Sequence, residues 1–237
     1  MRIGGLQRLT LIDYPDKLAC TVFTLGCNFR CPWCYSPHLV IEDKIKESPS
    51  MTEEDFFDFL DKRKDKLEGV VICGGEPTIY SDIIDFIRKI KEKGFLVKLD
   101  TNGSFPDILK KLIDERLVDY IAMDIKGSFL QVDNASNYNK STGVNIDIDI
   151  IRKSIEIIVN GGVDYEFRTT TVSGIHTKED ISEMAKMIKG AKRYFLQNFY
   201  NQSEIISKKH NFSSFSKEEM EDFRKTAEKF VEVCELR

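Results

Sequence analysis

The chain has 237 residues, 41% of them apolar and 31% charged, with a net charge of −4 at pH 7. This fits one large domain or two small ones with a sizeable core, and argues against a surface that coats nucleic acid. No apolar run approaches membrane-spanning length and MRIGGLQRLTLIDYPDK holds no secretory apolar segment, so the expected setting is the reducing cytoplasm.

In chain order, LACTVFTL (18–25) is a β-rich apolar run ended by Gly26, and TEEDFFDFL (52–60) reads as a helix with a threonine cap and an acidic first turn. GVVIC (69–73) is a short buried strand. SDIIDFIRKIKEK (81–93) is a helix capped by Ser81, with Ile83, Ile84, Ile87 and Ile90 on one face. FLVKLD (95–100) is a strand, PDILKKLIDE opens a helix at Pro106, and DYIAMDI (119–125) is a strand. The polar stretch 126–145 is the least regular part of the chain. A helix over 149–159, a strand over 163–172, a helix over 178–188 and a strand over 193–199 follow. The last element is a helix over 216–234, with Ser216 and Glu219 as a capping box.

Strand–helix alternation implies βαβ units and a parallel sheet with outer helices. Six units are too few for an eight-stranded barrel. The expectation is an α/β chain of one domain, 1–237, with an incomplete (β/α)6 TIM-like barrel over about 18–200 and the last helix packed on it.

The unusual polar residues fall just past the strand ends: Cys27, Cys31 and Cys34, then GGEP (74–77), DTNG (100–103) and MDIK (123–126). The fifth strand carries Glu166, Arg168 and Thr170, and the sixth Gln197 and Asn198. Asn-Gly or Gly-Gly alone is an ordinary turn. The information lies in the set, because parallel α/β folds build their sites at the C-terminal strand edge.

Cys27, Cys31 and Cys34 are three thiols in CNFRCPWC. A structural zinc site needs four protein ligands, whereas three thiolates can hold three corners of a [4Fe-4S] cube and leave the fourth iron open. Zinc completed by a distant residue, and purely structural thiols, remain as alternatives at this level. Pro32 restricts the loop and Trp33 sets a planar ring beside it. Cys20, Cys73 and Cys234 read as small buried hydrophobes, and His176 as a surface residue.

This cysteine loop resembles that of the radical S-adenosylmethionine (SAM) enzymes, and Gly74, Gly75, Glu76 and Pro77 match the glycine-rich motif with which that superfamily binds the cofactor's amino group. LIDYPDKLACTVFTLGCNFRCPWCYSPHLV is similar to the activating proteins of anaerobic ribonucleotide reductase, and more broadly to the glycyl-radical-enzyme activases. One departure is visible: those activases commonly read Cys-His-Asn-Pro where this chain reads CYSP (34–37), so Tyr35 replaces a histidine.

The resemblance implies a [4Fe-4S] cluster and S-adenosylmethionine as cofactors and a low-potential electron donor. Reductive cleavage of the sulfonium would yield a 5′-deoxyadenosyl radical that takes hydrogen from a glycine of a partner enzyme, expected to be anaerobic ribonucleotide reductase. Trp33, Asn102 and Arg168 would join the cofactor site. Asp100, Thr101 and Asp124 would flank a monovalent cation near the cofactor carboxylate, and Lys126 would offset that carboxylate or bond the ribose. Asp13 would contact the partner's peptide if LIDYP lines the barrel mouth. Neither nucleic acid nor membrane is an expected partner. The rival readings are a radical enzyme acting on a small molecule such as a nucleobase precursor, and a non-catalytic iron–sulfur or zinc module.

Overall fold

Short runs of β-branched and aromatic residues become strands here, and capped amphipathic runs become helices laid over them. The computed structural model describes residues 1–132, 135–200, 204–207 and 211–237. The chain opens with β1 (Ile3–Thr10) and β2 (Ala19–Thr24), followed by α1 (Pro37–Val40), α2 (Glu42–Glu47) and α3 (Glu53–Asp61). Then come β3 (Gly69–Gly74), α4 (Ile83–Glu92), β4 (Leu96–Thr101), α5 (Pro106–Asp114) and β5 (Tyr120–Asp124). A two-stranded ribbon of β6 (Gln131–Val132) and β7 (Ala135–Ser136) leads into α6 (Asn137–Thr142) and α7 (Ile148–Asn160). The chain closes with β8 (Asp164–Thr171), α8 (Lys178–Met187), β9 (Arg193–Asn198), α9 (Lys217–Ala227) and β10 (Val233–Leu236).

The main sheet runs β1-β2-β3-β4-β5-β8-β9-β10 and is open, with β1 and β10 as its edges. β1 is antiparallel to β2, and every other neighbouring pair is parallel. The unclosed α/β architecture is the one expected, and the six expected strands are β2, β3, β4, β5, β8 and β9.

The structure also corrects the sequence reading. β1 and β10 extend the sheet at both sides. The last expected helix stops at Ala227, and Cys234 lies in a strand paired with Tyr194. Ser81 does not cap α4; Asp82 holds that position without a side-chain bond. The stretch 126–145 is partly regular, and its residues 133–134 lie outside the described residues.

Alternation along each strand divides the chain's chemistry between two layers. Val70, Ile72, Val97, Leu99, Ile121 and Met123 join Ile83, Ile87 and Ile90 of α4 in the main core between sheet and helices. The opposite face looks into the barrel. At its lower end Tyr14, Ala19, Val71 and Tyr120 pack into a small plug. Above the plug the inner face carries charge.

Lys98 pairs with Asp100, the Arg168 Nη1 donates to Asp100 Oδ2 at 2.9 Å, and Arg168 Nε donates to Asp124 Oδ1 at 3.1 Å. Lys126 Nζ donates to Asp124 Oδ2 at 2.8 Å. Deeper, buried Glu166 accepts from the Tyr120 hydroxyl at 2.9 Å and from both terminal nitrogens of Arg237 at 3.0 and 3.1 Å.

Two predictions follow from this inner face. Arg237→Ala leaves Glu166 buried with only Tyr120 as donor, and should lower unfolding free energy by about 1–3 kcal/mol in a denaturant titration. Glu166→Gln added to it should recover part of that loss. Burial opposes the charged form of Asp124, but Lys126 and Arg168 outweigh it and hold its carboxyl down at about 2. Its stabilising contribution is therefore present above the unfolded value of 3.8 and lost as pH falls through about 2. Because 27% of the side chain remains exposed, Asp124→Asn should cost about 1–2 kcal/mol at pH 7. The gap to wild type should narrow between pH 4 and 2, as followed by unfolding at a series of pH values.

Candidate functional site

The site begins where β2 ends. Gly26 turns the chain at φ +83°, and its N–H donates to Leu39 O at 2.7 Å. The cysteine loop that follows is tied to two remote segments. Arg30 N–H donates to Thr142 O of α6 at 2.8 Å, and Ser207 N–H donates to Pro32 O at 2.8 Å. The Arg30 guanidinium turns back on its own loop, donating to Phe29 O at 2.7 Å. Tyr35, in the position where the resembling activases carry histidine, stacks on Phe199 at 5.3 Å between ring centroids, and its hydroxyl accepts from Tyr200 N–H. It braces the loop against the end of β9, and burial raises its phenol further above neutrality.

Cys27, Cys31 and Cys34 line one cavity with Gly74, Gly75, Glu76, Asp100, Thr101, Asn102, Asp124, Lys126 and Arg168. The ends of β2, β3, β4, β5 and β8 therefore converge there, as the clustering of polar residues past the strands implied. Cys73 also lines it, so this cysteine is more than core packing. Pro77 and Trp33 do not line the cavity: Pro77 is buried and opens a single 3₁₀ turn, Pro77–Ile79. Trp33 packs behind the loop, with Lys126 Nζ 5.1 Å from its ring centroid. Asp13 is not brought to the cavity either. It lies in the hairpin before β2, at the opposite strand end, and accepts from the Thr21 hydroxyl at 2.7 Å.

The approach of β3 to the cysteine loop requires glycine. A Cβ on Gly75 would sit 1.9 Å from Gly26 O, and one on Gly74, at φ +121°, would sit 2.3 Å from Thr24 N. Gly75 and Glu76 N–H groups donate to Thr24 O and Gly26 O at 2.9 and 2.8 Å, fixing the two turns together. The Glu76 side chain is a brace. It accepts from Thr78 N–H at 3.1 Å, from the Thr101 hydroxyl at 2.8 Å and from Asn102 N–H at 2.6 Å, joining GGEP to DTNG. Burial pushes its pKa up against these donors. Asn102 then bonds Asn28 Oδ1 at 3.0 Å, which joins DTNG to the cysteine loop.

The donor set fits an iron–sulfur cube better than a lone ion. Among the described residues no three His, Cys, Asp or Glu side chains are gathered closely enough to share one metal ion. Three thiols spread around one cavity suit a larger inorganic core, whose corners stand apart. Burial pushes the Cys27 thiol up to about 11 and Cys31 to about 12. Both are protonated in the empty protein, so loading a metal core releases protons.

Two residues were misjudged or missed from sequence. His176 is buried, not superficial; its Nδ1 accepts from Val172 N–H at 3.0 Å and its Nε2 lies 3.1 Å from Lys126 O. With Nδ1 accepting, Nε2 carries the proton and donates to that carbonyl, and burial lowers the ring's pKa and keeps it neutral. Lys98 is 1% exposed and secures Asp100 from below. Its signal was a lysine inside the otherwise apolar run FLVKLD, alternating with Asp100.

Comparison with known proteins gives the same reading. The profile of the Radical SAM superfamily matches residues 21–189. A Methanocaldococcus jannaschii protein, provisionally named a glycyl-radical enzyme activating enzyme, is 33% identical over 237 residues, covering 99% of this chain and 95% of its own. GTP 3',8-cyclase of Campylobacter lari is 29% identical over 189 residues, 77% of this chain and 56% of its own. Among solved structures, Streptococcus suis SuiB superposes with a TM-score of 0.62 at 17% identity, over 92% of this chain and 48% of SuiB. The loop of three cysteines, the glycine turn beside it and a profile match over most of the chain agree: this protein belongs to the radical SAM superfamily, whose cofactors are a [4Fe-4S] cluster and S-adenosylmethionine.

Proposed function

We propose that this chain is an activase that generates a glycyl radical on a partner enzyme, and that the partner is an anaerobic ribonucleotide reductase. The observation that carries the activase reading is similarity over nearly the whole length to a protein bearing an activating-enzyme name. The similarity of LIDYPDKLACTVFTLGCNFRCPWC to ribonucleotide reductase activators supports the choice of partner. A sheet left open between β1 and β10 suits a substrate loop that belongs to another protein. The cluster and S-adenosylmethionine, held by Cys27, Cys31 and Cys34 and by the glycine turn, would supply one-electron reductive cleavage of the sulfonium and so the means of taking a glycine Cα hydrogen.

The chain's own residues divide the remaining work. Cys27, Cys31 and Cys34, as thiolates, would hold the cluster. Gly74 and Gly75 let backbone approach the methionyl amine. Lys98, Arg168 and Lys126 are three cations set against the two carboxylates of Asp100 and Asp124, leaving one positive charge in surplus. These cations would attract the cofactor carboxylate, and Asp100, Thr101 and Asp124 remain the oxygen-bearing groups that would flank a monovalent cation beside it. His176 and the Ser141 hydroxyl fix the Lys126 carbonyl and so aim its ammonium. The Tyr35 phenol keeps its proton near neutral pH, so it relays none and serves to position the loop.

The test is anaerobic reconstitution with iron and sulfide, followed by S-adenosylmethionine and a reductant. Wild type should form 5′-deoxyadenosine, and Cys27→Ala, Cys31→Ala or Cys34→Ala should each lose cluster absorbance and at least 100-fold of that activity, roughly. Full iron content in Cys31→Ala would refute the ligand assignment. With the reductase added, electron paramagnetic resonance should show a glycyl doublet on the reductase. Rapid turnover of a purine nucleotide, with no protein radical, would instead favour a small-molecule substrate, as the resemblance to GTP 3',8-cyclase allows.

A further inference from the structure

Among the described residues only two buried side-chain polar atoms lack a hydrogen-bond partner, Trp33 Nε1 and the Tyr138 hydroxyl. Both are donors, and both belong to the surroundings of the cysteine loop. Trp33 lies in the loop itself. Tyr138 lies on α6, the helix that also carries Ser141, and the proposed activity gives Tyr138 itself no part.

The fold places α6 with care. Gly127, next after Lys126, has no room for a side chain: a Cβ would come within 3.0 Å of the Tyr138 Cα and 2.5 Å of Asn137 Oδ1. Tyr138 N–H donates to Ser128 O at 2.8 Å, so the helix is seated directly on the continuation of β5. At its other end Thr142 O accepts from Arg30 N–H, and Gly143 at φ +68° closes against Arg30 O. Tyr138 and Thr142 are four residues apart and share one helix face. The face that grips the cysteine loop therefore also carries Tyr138, whose side chain is wholly buried. Burial keeps the phenol protonated, the Lys126 backbone N–H approaches its oxygen, and the Cys31 thiol, Asp124 and Glu76 are its electrostatic neighbours, so the O–H proton is the part of the group left to donate.

We propose that the Tyr138 hydroxyl donates a hydrogen bond to a sulfur of the assembled cluster on its Cys31 side. The proposal rests on the cluster reading given above. A wholly buried O–H proton without an acceptor is a costly feature in the empty protein, and a thiolate or sulfide acceptor arriving with the metal core would satisfy it. Such a bond strengthens as negative charge builds on the sulfurs, so it favours the reduced cluster and raises its reduction potential. Tyr138 is on this view a cofactor contact that sets how readily the cluster takes up its electron.

Tyr138→Phe keeps the ring and removes only the hydroxyl. Wild type and variant are compared as full chains, empty and after anaerobic reconstitution. The empty variant should unfold at the same temperature as wild type or higher, because an unsatisfied group has been removed. Iron and sulfide content should be equal. In a redox titration read by electron paramagnetic resonance, the ratio of reduced to oxidised cluster at a fixed potential should fall about tenfold, the effect of losing one charge-assisted bond. An exchangeable-proton coupling to the reduced cluster, present in wild type, should vanish. Equal iron content with unchanged potential and coupling would overturn the proposal. So would a lower unfolding temperature of the empty variant, which would give the hydroxyl a partner within the protein. A change confined to S-adenosylmethionine affinity would also overturn it, moving the contact to the other cofactor. Failure of wild type to assemble a cluster would overturn the underlying reading and this one with it.

Discussion

The rest of the structure depends on the balance of charge inside the open barrel. Five ionised side chains from β4, β5 and β8 and the residues just beyond them alternate in sign across three strand ends. Desolvation opposes every one of them, and the arrangement is tenable only because each has an opposite neighbour at bonding distance. This requirement fixes register. Asp100, Asp124 and Arg168 must share the inner face, which alternation then secures by burying Leu99, Met123 and Phe167 on the outer one. Moving one strand by a single residue would exchange the charged ladder with the apolar core. The same side chains that make the interior polar enough for a charged cofactor thus hold the strands in place.

Above that ladder the loops are joined edge to edge, and each joint uses a different device. Glycines permit contact between GGEP and the cysteine loop, Glu76 gathers GGEP and DTNG, and Asn102 reaches on to Asn28. Backbone bonds from α6 and from the segment at 206–207 hold the cysteine loop from its other sides. A loop secured at so many points is prearranged for its metal, which reduces the ordering that binding would otherwise require.

How much of this was legible in the sequence varied with the kind of force involved. β2, β3, β4, β5, β8 and β9 were readable because buried parallel strands are continuous apolar runs. The edge strands were not. β1 carries Gly4, Gly5 and an exposed polar centre, and β10 is four residues long with Glu235 in its middle, so neither shows the pattern of a buried strand. The site's composition was legible because Cys27, Cys31, Cys34 and the three short motifs all fall beyond strand ends. Partnerships were not legible. That Glu76 is a brace, that Lys98 underpins Asp100 and that His176 holds Lys126 O depend on distances between residues remote in sequence. Asp13 shows the opposite error: proximity in sequence to the cysteine loop suggested the mouth, whereas the antiparallel turn between β1 and β2 carries it to the far end of the strand.

An open barrel has two unpaired margins, and each is a potential template for the backbone of a second copy. β1 meets β2 with register shifts between Ile3 and Gly5 and again between Gln7 and Thr10, and such irregularities bend and twist a strand away from flat pairing. β10 offers only four residues, Val233–Leu236. Neither margin presents a long regular ladder, so identical chains gain little by zipping together along them. The gap in the barrel can therefore stay open without turning the molecule into a seed for sheet-to-sheet aggregation.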